Sequence, residues 1–207
     1  MLDSFVQIME KGGIIMYPIL LLSIISLGIF FERLYTLRKD KFIPEQFLTK
    51  LNEALAKKDF DSARAISGAN DSPIANISSY ILSNLDLPLS RLVESTEEVG
   101  RYESRTLDRY QHSLQTIATI SPLLGLLGTV SGMIKMFVFI SGESVGTAQS
   151  LATGISEALL TTAAGLSVAI PSMIFYYIIR FRAENISMQF EKATGSIVNM
   201  ILKEGRS

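Results

Sequence analysis

The 207-residue chain has no cysteine, no tryptophan and a single histidine, His112. Without thiols and with one imidazole it has no means of building a Cys/His zinc site, and none of its carboxylates cluster at metal-ligand spacing. No GxxxxGK[ST] string is present, so a phosphate-binding loop is not the energy source. The serines lack the partner base that a nucleophile needs, and enzymatic chemistry is disfavoured. An excess of charge of either sign is also missing. The chain carries 19 Lys and Arg against 20 Asp and Glu, evenly mixed, which argues against a nucleic-acid surface. The lack of cysteine leaves the redox compartment undecided.

What the chain has is hydrophobic length. Apolar residues make up 48% of it and are bunched rather than spread at core periodicity. Residues 14–31 form an uncharged run of 18, residues 113–134 one of 22 and residues 158–179 another of 22. At 1.5 Å per helical residue, each is near the length that crosses about 30 Å of hydrocarbon. The reading is an all-α membrane protein with three transmembrane helices at 14–36, 113–140 and 154–179, which assembles as a homo-oligomeric bundle. The first run is expected to remain as an anchor. It exceeds the apolar part of a secretion signal, follows Asp3, Glu10 and Lys11, and has no small-residue cleavage site before Glu32 and Arg33.

Orientation follows from the basic residues. Twelve lie between Glu32 and His112 and five after Ile179, so seventeen of nineteen share one side, while 141–153 carries none. The positive-inside rule then places segment 1–13 and loop 141–153 outside and segments 37–112 and 180–207 in the cytoplasm. These cytoplasmic parts read as helical extensions of the spans. Phe47, Leu48, Leu51, Ala54 and Leu55 recur at helical spacing, Asn70 to Pro73 is a turn signal, and Pro88 opens a further helix. From Leu89 to Ile140 the only breaker is Pro122, which predicts one long helix with His112 at the cytoplasmic mouth of the second span. After the third span Ile186, Phe190, Ala193, Ile197 and Ile201 form a stripe suited to bundle packing.

The spans also carry small and polar residues. Gly128 and Gly132 make a GxxxG with Gly125 one turn earlier, and Gly154, Ala158, Thr161, Thr162, Gly165 and Ala169 give the third span small surfaces, for which close helix packing is a sufficient reason. Thr129 has two readings: its hydroxyl can bond back to a carbonyl one turn earlier, or face a hydrated path. Ser121, Thr129 and Met136 share one broad face, and Lys135 lies about 120° from Thr129. Glu157 is a carboxylate at membrane depth, where a charge costs roughly 2.5–3.5 kcal/mol on insertion scales. It can line an ion path, sit at the outer interface, or pair with Lys135, which lies at a similar inferred depth and can also snorkel. Pro171 frees a carbonyl one turn back and is expected to kink the third helix, or simply to be tolerated there.

The strings SPLLGLLGTV at 121–130, GISEALLTTAAGL at 154–166 and AIP at 169–171 resemble the ExbB/TolQ/MotA ion-channel family, most closely its ExbB and TolQ branch. The resemblance implies that Thr129, Glu157 and Thr162 match the functional polar positions of two pore-lining helices, with Pro171 the matching proline. It further implies a homopentamer around the single-span helices of a partner of the ExbD/TolR kind, whose aspartate carries the ion. A TonB- or TolA-like protein would receive the work. No cofactor is implied, and H+ is the simpler ion. Two departures stand out. Thr161 adds a hydroxyl beside Thr162, and Lys135 occupies a position more usually uncharged. Thr161 shares the face of Glu157, while Thr162 is about 140° away.

The candidate pathway residues are thus Ser121, Thr129, Glu157, Thr161 and Thr162. Gly128, Gly132, Gly165 and Pro171 serve packing or a kink, and Lys135 and Glu157 are a possible ion pair. The function expected is that of a subunit of a proton-channel motor acting on an envelope-spanning partner. The alternatives are a flagellar-type stator subunit and a non-conducting membrane scaffold.

Overall fold

The computed structural model of the chain describes residue 9 and residues 11–141 and 148–205. Most of the expected outer segment 1–13 and residues 142–147 of the expected loop lie outside the described residues, while residues 148–153 of that loop are already helical. Among the described residues the secondary structure is entirely helical. The helices are α1 (Met16–Thr36), α2 (Lys39–Phe42), α3 (Glu45–Ala56), α4 (Phe60–Gly68), α5 (Pro73–Ser83), α6 (Leu89–Asp108), α7 (Gln111–Ser141) and α8 (Ala148–Gly205). Three of them are long and apolar enough to cross a membrane, and at most a third of each crossing stretch is buried within the chain. So much exposed hydrocarbon, including Leu21, Ile24, Leu123, Leu126, Phe137, Leu159 and Ile170, suits a protein bathed in lipid or packed against other membrane helices. The chain is a multi-pass membrane protein.

Contacts divide the chain into two compact units, one of residues 1–32 and 110–178, the other of residues 33–109 and 179–207. The second unit has an ordinary soluble core. α3 packs on α4, α4 on α5, and α5 on both α2 and α6. Leu51, Leu55, Ile74, Ile77, Ile81 and Leu82 are fully buried there, each contributing about 1.5–3 kcal/mol relative to exposure. The turns are chemically defined. Lys58 takes a left-handed φ of 57°, its N–H bonding to the Leu55 carbonyl at 3.0 Å and that of Asp59 to Ala54 at 3.0 Å, which closes α3 with a motif that usually employs glycine. Asp59 then caps α4, accepting from the Ser62 N–H at 2.9 Å and the Ser62 hydroxyl at 2.6 Å. These two bonds hold the Asp59 carboxyl below the usual carboxylate range. The Asn70 to Pro73 turn separates α4 from α5, with Pro73 in the first turn of α5. Arg64 donates through Nε and Nη2 to the Leu82 carbonyl at 3.0 and 2.8 Å, satisfying the end of α5. The tail of α8 buries Ile179, Ala183, Ile186, Phe190, Ile197 and Ile201, so the stripe read from the sequence is the packed face, with Ala193 at its margin.

One expectation is corrected. The stretch from Leu89 to Ile140 is two helices, because Arg109 is extended (ψ 134°) and Tyr110 is left-handed (φ 64°). A tyrosine carries no turn signal, and a non-glycine residue adopts this backbone only where the surrounding fold imposes it. Pro122 and Pro171 both lie inside continuous helices.

Candidate functional site

In the membrane unit, α7 and α8 approach so closely that glycines line much of their contact. A Cβ on Gly165 would stand 2.5 Å from the Ser121 carbonyl oxygen and 3.1 Å from Gly125 Cα. One on Gly125 would meet the Thr161 carbonyl and Thr162 Cα at 3.1 Å each, and one on Gly132 would meet the Gly154 carbonyl at 2.8 Å. Gly128 faces the Thr161 side chain directly, with no room for even a methyl. As the α7 partner advances from 121 to 132, the α8 partner retreats from 165 to 154, so the two helices are antiparallel. α1 runs parallel to α8: the Ser26 and Ser172 hydroxyls share a buried 2.7 Å hydrogen bond, and Phe30 stacks on Phe175 with centroids 4.1 Å apart.

This close packing positions the polar residues. Ser121 and Thr161 are fully buried within the chain. Ser121 donates to the Ile117 carbonyl at 2.7 Å, and Thr161 lies within 2.9 and 3.0 Å of the carbonyls of Glu157 and Ala158. Thr162 is half-buried and within reach of two acceptors, the Ala158 carbonyl of its own helix at 3.1 Å and the Gly125 carbonyl of α7 at 3.2 Å. Thr129, also half-buried, donates to Leu126 at 2.7 Å. Each of these hydroxyls has a carbonyl acceptor for its proton and keeps oxygen lone pairs with which to accept. Thr129 follows Gly128, which faces Thr161, so Thr129, Thr161 and Thr162 occupy one level of the α7–α8 pair.

Glu157 lies one to two turns away along α8, about 7.5 Å from Thr162 at the helical rise. Its carboxylate accepts from Lys135 Nζ at 2.5 Å, with side-chain exposures of 13% for Glu157 and 48% for Lys135. Gly13, at a left-handed φ of 71°, presses its backbone against the same carboxylate, leaving no space for a side chain. Gly13 immediately precedes the first apolar run, so the ion pair sits at the polar boundary of the span rather than at its middle. The structure therefore joins Lys135 to Glu157, groups the three threonines, and places Ser121 at the Gly165 contact. Pro171 is distant from all of these along α8 and adjoins Ser172, whose hydroxyl lies 2.8 Å from the Val168 carbonyl.

Sequence reasoning missed Gly13, the Ser26–Ser172 bond and the Phe30–Phe175 stack. Gly12 and Gly13 are a chain-punctuating pair and were a usable cue. The serine bond had none, since its partners are 146 residues apart.

Comparison with known proteins gives a consistent set of relatives. The family model described as the MotA/TolQ/ExbB proton channel family matches residues 70–192. The ExbB-like 1 protein of Synechocystis sp. is 34% identical over 210 residues, covering 99% of this chain and 80% of that protein. The Tol-Pal system protein TolQ of Haemophilus influenzae is 28% identical over 216 residues, covering 90% of this chain and 89% of that protein. An 88-residue stretch is 42% identical to the biopolymer transport protein ExbB of Salmonella typhimurium, covering 42% of this chain and 34% of that protein.

Proposed function

This chain belongs to the MotA/TolQ/ExbB proton channel family, and from that premise we propose that it is a subunit of an inner-membrane proton-channel motor performing TonB- or Tol-type energy transduction. The observation that carries the reading is the level of Thr129, Thr161 and Thr162 hydroxyls on two glycine-packed helices, with the Glu157 carboxylate near its polar end. Polar groups set into membrane-crossing helices mark ion paths. One chain has too few helices to enclose a lumen. Five copies around a single-span helix of the ExbD/TolR kind supply the enclosure, and that helix brings the aspartate that carries H+. The N-terminus is periplasmic and the C-terminus cytoplasmic, in keeping with the seventeen basic residues on one side.

In this mechanism a proton neutralises the partner's aspartate beside Thr129 and Thr162, whose free lone pairs accept from the protonated acid or from water. Loss of the proton restores the charge, and the helix is driven to a new position. One elementary charge moved through 100 mV releases about 2.3 kcal/mol, a shift of roughly fifty-fold in a conformational equilibrium. A TonB- or TolA-like protein takes up the movement.

The test is Thr162→Val, which keeps the shape and removes the hydroxyl. Assembly should be retained while uncoupler-sensitive activity falls at least about tenfold, the equivalent of ~1.4 kcal/mol, in the range of a hydrogen bond to a charged group. Full activity from a normally assembled complex refutes the role. One observation favours a second reading, a non-conducting scaffold: the hydroxyls of Ser121, Thr129, Thr161 and Thr162 all have carbonyl acceptors within the chain. A scaffold would tolerate Glu157→Ala and Thr162→Val together, whereas the motor would not.

A further inference from the structure

We propose that the turn after α1 binds the phosphodiester headgroup of an anionic phospholipid through Tyr35, Arg38 and Lys41. Residues 33–43 contain four basic side chains and one acid. Two of the four cations are committed elsewhere. Arg33 is buried and donates to the Thr106 carbonyl at 3.1 Å, and Lys39 pairs with Glu45 at 3.0 Å. The other two converge on one ring: Arg38 Cζ lies 4.7 Å and Lys41 Nζ 5.5 Å from the centroid of Tyr35. Among the described residues no carboxylate forms an ion pair with either, the exposed neighbour Asp40 included. Tyr35 itself is 65% exposed.

The backbone that carries these side chains is fixed. The Leu37 and Arg38 N–H groups bond to the Arg33 and Thr36 carbonyls at 2.9 Å each, and those of Lys41 and Ile43 to Arg38 and Lys39 at 3.1 and 2.8 Å. Leu37, Phe42 and Ile43 are buried and anchor the turn from within. Two like charges drawn to one aromatic ring repel each other, and an anion that reaches both relieves that repulsion. A phosphodiester fits this geometry: it has one negative charge and two free oxygens, one for the guanidinium and one for the ammonium, and the Tyr35 hydroxyl can meet the ester or glycerol oxygens. Depth selects the source. Tyr35 stands in the last turn of a 21-residue apolar helix, about 30 Å from its start. That is the headgroup level, where aromatic and basic side chains gather at a membrane surface.

The protein, purified in its native assembly, is reconstituted in phosphatidylcholine bilayers carrying spin-labelled phosphatidylglycerol or spin-labelled phosphatidylcholine, and the motionally restricted fraction gives the relative association constant. Wild type should prefer phosphatidylglycerol. Each basic residue near an anionic surface is worth about five-fold, so Arg38→Gln/Lys41→Gln should lower the preference by about five- to twenty-fold. Tyr35→Phe should keep it, Tyr35→Ala should weaken it, and Lys39→Gln should leave it unchanged. An unchanged preference in the double variant overturns the proposal. Equal loss in Lys39→Gln does so too, by showing diffuse attraction. Displacement of the labelled lipid by inorganic phosphate overturns it in favour of a soluble anion. Native mass spectrometry of wild type, stripped and re-exposed to equal amounts of the two lipids, provides a readout independent of variant folding; equal retention of both again overturns the site.

Discussion

Gly165→Ala adds one carbon and two hydrogens net at the closest backbone approach of the α7–α8 contact, and the consequence can be worked out. The new Cβ would stand 2.5 Å from the Ser121 carbonyl oxygen and 3.1 and 3.2 Å from Gly125 Cα and N, all backbone atoms with no rotamer to yield. An ordinary carbon–oxygen contact starts near 3.3 Å, so the helices must separate by roughly 0.8 Å. A gap of that size forfeits about a quarter to a half of the dispersion attraction along the line of contact. It also lengthens the 3.2 Å approach of Thr162 to the Gly125 carbonyl. In lipid there is no hydrophobic term between helices to offset this, because the tails solvate the separated faces as well. The cost should be about 1–3 kcal/mol, typical of overpacking. Reversible SDS titration followed by helical ellipticity measures it, with two internal controls. Gly28→Ala and Gly195→Ala place their Cβ where nothing lies within 4 Å. Gly195→Ala, in the polar tail of α8, should be neutral or stabilise by up to about 1 kcal/mol through helix propensity. If Gly165→Ala is as stable as Gly28→Ala, the close contact deduced for α7 and α8 is wrong.

Two further outcomes are expected in the isolated protein. Lys135→Met strips the cation from a carboxylate that is 13% exposed and hemmed in by Gly13, and should destabilise by about 1–2 kcal/mol, less than a fully buried pair because Lys135 is half-exposed. Adding Glu157→Gln should recover much of this loss, and a double-mutant cycle additive within about 0.3 kcal/mol would show that the two groups do not interact. For Asp59, the folded-state pKa is lowered by its bonds to Ser62. Its contribution is therefore fully present above the ordinary carboxylate pKa and lost as pH falls through the lowered value. Melting temperatures across the acid range should show wild type losing stability relative to Asp59→Asn, which caps α4 without titrating; parallel curves would contradict the assignment.

The sequence alone determined that the chain is helical and crosses a membrane three times. Long apolar runs have few other solutions, because in hydrocarbon each backbone N–H and C=O needs an internal partner and a helix provides one. It also determined the Asn70 to Pro73 turn, the apolar stripe on the tail of α8 and the closeness of the glycine-bearing spans, since each is a local pattern with a local cause. Tertiary structure decided the rest. Helical periodicity gives the angle of a side chain about its own axis but not which neighbour occupies that angle. Only the docked α7 and α8 bury Ser121 and Thr161, leave Thr129 and Thr162 half-open, and tie Lys135 to Glu157. The left-handed Tyr110 belongs to the same class. No turn-forming residue announces the break between α6 and α7, so the local pattern carries no sign of it.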